Sequence, residues 1–315
     1  MTGGGLVTFG ETMALMAAAE VGPWATHRDL KLSVAGAEMN VAIGVRRLGQ
    51  PATWISRVGA DSFGELILRE LRAEGVVARA GVDTERPTGL MVKERPNSLR
   101  THVRYYRSGS AAAALTAADI SADTVAAASV LHVTGITPAL GAGPAEAVEH
   151  AVEVARSAGT TVSLDINYRS ALWDRETAAA ALEPLVARAD VVYAGPEEAA
   201  LIVDDAEPEQ QAKGLARLGP AQVVIKLGAD GAVSFIDGVV RTTPPVPVRV
   251  VDTVGAGDAF VAGYLAELMA GRDAGTRLAT AATAGAFACT SLGDWEGLPT
   301  RSDLDAFGAA GDVQR

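Results

Sequence analysis

Stretches patterned as strands and as helices alternate along most of this 315-residue chain, and that rhythm restricts the fold more than any other feature. Residues 6–10, Leu-Val-Thr-Phe-Gly, read as a first strand, and a helix follows over about 38–48, ended by Gly49. The spacing predicts a strand over 53–59 and a helix over 63–74, ended by Gly75. Beyond residue 109 the order resumes with strands at 130–133, 161–165, 190–194 and 222–226 and helices at 145–158 and near 177–188. A hairpin is expected over 231–241, and long helical patterns run from about 258 to 291. Repeated βα units of this kind predict an α/β fold, a mostly parallel sheet with helices on its faces.

Two excursions break the rhythm. Residues 13–20 and 30–36 look extended, with Gly22-Pro23 as a turn between them. Residues 90–93 and 102–106 look like strands joined by a turn at Arg95-Pro96-Asn97, and with no helix between them they are expected to pair antiparallel. Together these pieces predict a small sheet standing off the main body as a lid. The expected division is a large α/β body of residues 1–12, 36–82 and 110–315, with a β-sheet lid of 13–35 and 83–109. The lid is expected to close over a bound substrate, and its apolar outer face predicts a homo-oligomer joined through the lids.

The strongest local signal is Asp252-Thr253-Val254-Gly255-Ala256-Gly257-Asp258-Ala259-Phe260. Small residues at 255–257 let backbone N–H groups converge at the start of a helix, where the dipole adds roughly half a positive charge and favours an anion. Asp258 sits in the first turn beside the same spot. An acid next to an anion hole suits phosphoryl transfer: Asp258 accepts a hydroxyl proton while Gly255, Ala256 and Gly257 hold charge developing on the phosphate. The nearby helix N-terminus is expected to keep the Asp258 carboxylate ionised. The bland alternative is a glycine turn before a helix capped by an aspartate. A dinucleotide fingerprint fails on spacing, because Phe260 stands where the third glycine belongs, and no Walker A lysine is present.

A net charge of −11 speaks against a nucleic-acid partner, whose affinity rests on neutralising phosphates. A few arginines can still build a basic pocket for a small anion. Cys289 is the only cysteine, so no intrachain disulfide forms and a reducing compartment is expected. The first residues lack the basic and apolar regions of an export signal, and no run approaches the roughly 20 apolar residues of a membrane span. A cytoplasmic protein with no membrane partner is expected.

With these motifs in place, the chain resembles the ribokinase-like (PfkB) carbohydrate kinases over nearly its whole length. The resemblance rests on Ala35-Gly36-Ala37-Glu38-Met39-Asn40, with Gly49 and Gly59 downstream, and on the 252–263 segment. Within that family the 2-keto-3-deoxygluconate kinases share the most, through Tyr105-Tyr106-Arg107-Ser108-Gly109, His132-Val133-Thr134-Gly135, Asp165-Ile166-Asn167-Tyr168-Arg169 and Gly293-Asp294-Trp295-Glu296-Gly297. The resemblance implies a three-layer sandwich with a small β-sheet lid, ATP with Mg2+, and phosphorylation of a small sugar acid, 2-keto-3-deoxygluconate, to its 6-phosphate. It implies substrate contacts from Gly36, Ala37, Glu38, Met39 and Asn40, from Met91, Tyr105, Tyr106 and Arg107, and from Arg169 and Asp258, with Asp294 closing the pocket. It implies ATP contacts along Asn167, Tyr168 and Arg169, at Gly195, along Lys226, Leu227, Gly228, Ala229, Asp230, Gly231 and Ala232, at residues 255–258, and at Ala282. Glu198 is implied as a magnesium holder through water.

Three positions depart from the family pattern. Gly195 opens the Gly195-Pro196-Glu197-Glu198 stretch where an Asn is frequent, Met91 stands where relatives often carry a sugar-facing Tyr, and Ala282 replaces a frequent Asn on the adenine side. These changes bear on affinity and nucleotide preference more than on reaction type. Two arginines converging on a ligand are costly to bury unless an anion meets them, so Arg107 and Arg169 favour a sugar acid. The alternatives are a kinase of a neutral sugar, of fructokinase or ribokinase type, or of a nucleoside, and from another class a non-catalytic sugar-binding protein.

Overall fold

The first strand carries side chains into two cores at once: Leu6 packs with Trp54 and Val130 on one face, Val7 and Phe9 with Ile55 and Leu131 on the other. That period of two, with no polar face, is how a strand covered on both sides reads. The structure, a computed structural model, describes residues 4–97 and 100–308. The ends of the expected body, 1–3 and 309–315, and two residues of the expected lid, Ser98 and Leu99, lie outside the described residues.

In chain order the strands are β1 (Leu6–Phe9), β2 (Met13–Ala18), β3 (Leu30–Ala35), β4 (Ala52–Gly59), β5 (Val77–Asp83), β6 (Leu90–Asn97) and β7 (Arg100–Tyr106). They continue as β8 (Val130–Thr134), β9 (Thr161–Asp165), β10 (Val191–Ala194), β11 (Gln222–Lys226), β12 (Ala232–Ile236) and β13 (Val239–Thr243). Nine of them form one sheet in the order β13-β12-β11-β10-β9-β8-β1-β4-β5. It is parallel from β11 to β5, and the β12–β13 hairpin adds an antiparallel edge. The order reverses between β1, which leads on to β4, and β8, which starts the other wing. Open parallel sheets bind ligands at such a switch point, beyond the carboxyl ends of the strands.

The other four strands make a separate sheet in the order β3-β2-β6-β7, with β2 parallel to β6 and the outer pairs antiparallel. Both excursions in the sequence therefore meet in one small sheet, and the expected antiparallel pair exists as β6 and β7. Two details differ from expectation. Residues 95–97 belong to β6, with a shift of register between Glu94 and Asn97. Pro96 is tolerated there because β6 has outrun β2, whose pairing stops at Lys93. Strand β5 has no counterpart in the sequence reading, since Val77 and Val82 point outward on the sheet edge and leave no apolar alternation.

The long helical pattern near the end is two helices, Ala256–Met269 and Ala274–Ala288. Small residues set how closely they pack. A side chain at Gly263 would press on the backbone of Ala281 at 3.0 Å, and one at Gly44 on the Ala262 methyl at 2.6 Å. The second contact brings the helix Ala37–Arg47 against the helix Ala256–Met269, with both N-termini at the same end of the sheet. Among the described residues no helix is long and apolar enough to cross a membrane.

Candidate active site

The carboxyl ends of the central strands open into a cavity of about 1350 Å3, roofed on one side by the four-stranded sheet. Glu11 follows β1, Asn167 and Arg169 follow β9, Gly195 and Glu198 follow β10, and Lys226 ends β11; all line the same space. Small-molecule pockets run to roughly 1,000 Å3, so this one is large enough for two ligands side by side.

The turn at 255–257 forms as the glycines require. Gly255 precedes the helix with φ 77° and provides no side-chain cap. Any Cβ there would collide with the carbonyl oxygen of Asp294. The first N–H groups of a helix have no partner within it, and here Gly255 and Gly257 line the cavity. Gly257 is open enough that the nearest atom to a side chain placed there would be the Lys226 Nζ, 3.8 Å away. The ammonium thus stands beside the turn.

Asp258 lines the cavity and accepts a hydrogen bond of 2.8 Å from Asn40 Nδ2, across the contact between the two helices. The expectation that the helix N-terminus keeps its carboxylate readily ionised is corrected. Burial pushes the Asp258 carboxyl up to about 7, and the neighbouring Asp294 adds to the effect, while the Asn40 amide pulls against it. Desolvation and a like charge outweigh the dipole here. Asp294 is likewise pushed up to about 6, first by burial, with Lys93 working in the opposite direction.

On the opposite wall Lys226 Nζ donates to both oxygens of Asp165, at 2.8 and 2.7 Å. Burial disfavours its charge, but Asp165 and then Glu198 hold the ammonium above its ordinary value. Glu198 accepts from the backbone N–H of Gly195 (2.6 Å) and of Tyr168 (3.0 Å), so its carboxylate also fixes the loops after β10 and β9. Burial, then the charge of Asp165, raises the Glu198 carboxyl. Among the described residues no three acidic, His or Cys side chains gather into a metal cage. Two nearby carboxylates of like charge do fit a magnesium ion carried on nucleotide phosphates, since that ion keeps several waters and needs few protein ligands. Asn167 reaches its place with φ 40°, a left-handed conformation uncommon for a residue with a side chain.

The small sheet supplies the third wall. Arg107 Nη2 lies 2.5 Å from Glu11 Oε2, and Ser110 Oγ donates to Glu11 Oε1 at 2.5 Å. Glu11 thus joins the chain entering the small sheet to the chain leaving it. The Arg107 guanidinium also lies 5.6 Å from the ring centre of Tyr105. Arg107 and Arg169 line the same cavity without any ligand to draw them together. They differ in that Arg107 has a buried anionic partner, while Arg169 is exposed and makes no ion pair among the described residues. The assumption that both guanidinium groups lack an anion of their own is therefore corrected for Arg107.

Not every residue named from the sequence reaches the cavity. Gly36, Ala37, Asn40, Met91, Tyr105, Tyr106 and Asp294 do. Met39 is fully buried in the core, because on a helix it points about a hundred degrees away from Asn40. Glu38 borders the cavity, but its carboxyl turns inward and accepts from Thr134 (2.7 Å) and Thr137 (2.8 Å). Tyr105 and Tyr106 are both exposed, on an edge strand with no layer behind it. Pairing places Tyr105 opposite Met91 on one face and Tyr106 opposite Leu90 on the other, yet at the edge of the sheet both rings border the cavity.

On the nucleotide side, Tyr168 packs against the core with its hydroxyl on the Trp173 carbonyl at 3.1 Å. Ala256 falls outside the cavity lining, and Ala282 packs against the core. Leu227 packs against the core, Gly228, Ala229 and Asp230 form an exposed turn outside the cavity, and beyond Gly231 Ala232 is core. Sequence reasoning missed Glu11, Lys93 and Asp252. Glu11 carried a signal, an acid directly after a buried strand end; the other two are visible only as a pair.

Comparison with known proteins gives a consistent result. The family model described as pfkB family carbohydrate kinase matches residues 5–301. The chain is 38% identical to the 2-dehydro-3-deoxygluconokinase of Bacillus subtilis, over 96% of this chain and 94% of that protein. It is 35% identical to the 2-dehydro-3-deoxygalactonokinase of Haloferax volcanii, over 92% of each chain. A putative ribokinase II of E. coli, solved in complex with ATP and Mg2+, superposes with a TM-score of 0.89 at 26% identity, over 97% of this chain and 99% of that one.

Proposed function

The chain belongs to the pfkB family of carbohydrate kinases, and from that premise we propose that it transfers the γ-phosphoryl group of ATP to the 6-hydroxyl of 2-keto-3-deoxygluconate. The observation that carries this reading is the convergence of Asp258, the open turn at 255–257 and two arginines on one cavity. Asp258 takes the proton of the acceptor hydroxyl. A carboxyl held near 7 is a stronger base than an ordinary aspartate, and Asn40 fixes one of its oxygens. The N–H groups of Gly255 and Gly257 and the Lys226 ammonium face the phosphoryl oxygens, where preorganised donors contribute most. Glu198 with Asp165 would hold the waters of a magnesium ion bound with the nucleotide, which would neutralise phosphate charge. Arg169 meets the substrate carboxylate as a cation with no ion pair among the described residues, and Arg107, oriented by Glu11, contributes directed donors with little net charge.

The four-stranded sheet acts as the lid, with 13–35 and 83–109 moving against the rest and excluding water from the transfer. Leu30, Leu32 and Tyr106 share its outer face and are exposed. A second copy of this chain is the proposed occupant of that face, and sedimentation of the purified protein checks it.

The reading is tested by following ADP release with 2-keto-3-deoxygluconate, its galactonate epimer, fructose and ribose as acceptors. We expect kcat/KM for one of the keto acids to exceed that for the neutral sugars by at least about a hundredfold, the worth of charge-assisted contacts to a carboxylate. Arg169→Ala should remove more of that margin than Arg107→Ala. Fructose or ribose turned over as well as the keto acids would replace this reading with a neutral-sugar kinase. The Glu11–Arg107 pair is the feature that would favour that outcome.

A further inference from the structure

The lid and the anion turn are joined by one buried ion pair that the reaction chemistry does not require. Lys93 lies on β6 two residues beyond Met91, so it shares the cavity face of that strand. Its Nζ stands 2.6 Å from Asp252 Oδ2, and only 8% and 15% of the two side chains are exposed. The other oxygen of Asp252 accepts the Val254 N–H at 3.3 Å. One carboxylate therefore holds the lid strand on one side and the approach to Gly255 on the other.

That approach has few other restraints. The N–H groups of Val251 and Asp252 donate to the Cys289 carbonyl at 2.8 and 3.3 Å, and Ala256 N–H reaches the Thr253 carbonyl at 3.3 Å. Residues 244–252 carry no regular structure before the turn, and Thr253 is exposed. The acid side of the pocket is also crowded with like charge: Asp252, Asp258, Asp294 and Glu296 lie along it, with Lys93 set against Asp252 and Asp294 and Arg169 against Asp258.

We propose that Lys93 is a positioning residue: through Asp252 it sets the conformation of the turn 253–257, so that seating of the lid over the sugar arranges the N–H groups that face the phosphoryl group. The geometry couples the acceptor side of the site to the donor side without Lys93 touching either ligand. This inference rests on the phosphotransferase reading above for its kinetic consequence, but its structural part does not.

The test compares Lys93→Met, Asp252→Asn and the double variant in the full-length protein. Lys93→Met keeps most of the aliphatic stem and removes the charge. We expect kcat to fall about ten- to a hundredfold, the scale of a misplaced reacting group, while KM for the keto acid changes less than about threefold. The double variant should lose no more than the worse single one, because both act through one bond. Hydrogen exchange without substrates should show amides of 251–257 exchanging faster in Lys93→Met than in wild type. A rise in KM with kcat preserved, or additive losses in the double variant, would make Lys93 a direct ligand and overturn the proposal. Unchanged exchange and kinetics with a lowered melting temperature would reduce the pair to a structural tie and also overturn it. A wild-type protein inactive on every sugar acid would defeat the functional reading instead, leaving exchange to judge the coupling.

Discussion

The helices Ala256–Met269 and Ala274–Ala288 pack side by side, yet their N-termini are built in opposite ways. The second is capped by Asp273, which accepts the Thr276 N–H at 3.1 Å and the Thr276 hydroxyl at 2.8 Å. Asp61 and Asp174 cap two further helices in the same manner. The first has Gly255 and no side-chain cap, and so does the helix behind Gly36, the two that meet at the cavity. A cap satisfies N–H groups permanently and stabilises the fold. An uncapped glycine start leaves them open for a ligand, and the stability given up there is recovered only when an anion binds.

Replacing Asp258 breaks this comparison most severely. Asp258→Asn should lower kcat by about 10² to 10⁴-fold, the share of a general base, with the fold and nucleotide binding retained. Steady-state kinetics together with nucleotide titration of the variant measure both parts. Gly255→Ala should cost about a hundredfold in turnover, because the side chain meets the Asp294 carbonyl and the left-handed backbone is strained. A variant with ordinary activity and melting temperature would show that the turn need not hold that shape.

The pH dependence sharpens the same contrast. Asp258 acts as a base only when ionised, so kcat/KM should fall about tenfold per unit as pH drops below its value near 7. Asn40→Leu removes the amide that favours the ionised form and should move that limb upward. The stability sign is also fixed. With its pKa raised above the unfolded value of 3.8, the folded state keeps a proton that the unfolded chain releases. The group's contribution therefore falls as pH rises from about 4 to about 7. Asp258→Asn abolishes it, so that variant's melting temperature relative to wild type should be higher at pH 8 than at pH 5. The smallest effect belongs to the capped helix: Asp273→Ala should cost about 0.5–2 kcal/mol in denaturant unfolding and leave kcat/KM unchanged.

Much of this was legible along the chain, where the information is local. The βα alternation, the helix-free excursions and the glycines at 255 and 257 each follow from a residue's own conformational preference or from periodicity. Strand β5 escaped because an edge strand with outward valines lacks the pattern of a buried one. Met39 was misplaced because a motif lists neighbours in sequence, whereas a helix turns consecutive residues to different sides. Glu11 is separated from Arg107 by the whole of the small sheet, and only the return of the chain closes that pair.

The sequence by itself determined which backbone can bend into an open turn of N–H groups and which acid stands beside it, since both follow from a dozen adjacent residues. Tertiary structure alone decided what that acid is worth as a base. The pKa of Asp258 depends on burial, on Asp294 thirty-six positions further along, and on Asn40 from the far end of the chain. The same holds for the charge each arginine offers a ligand and for the grip of Lys93 on Asp252. Electrostatic energies depend on separation in space and on the water excluded between groups, and neither quantity is written in the order of residues.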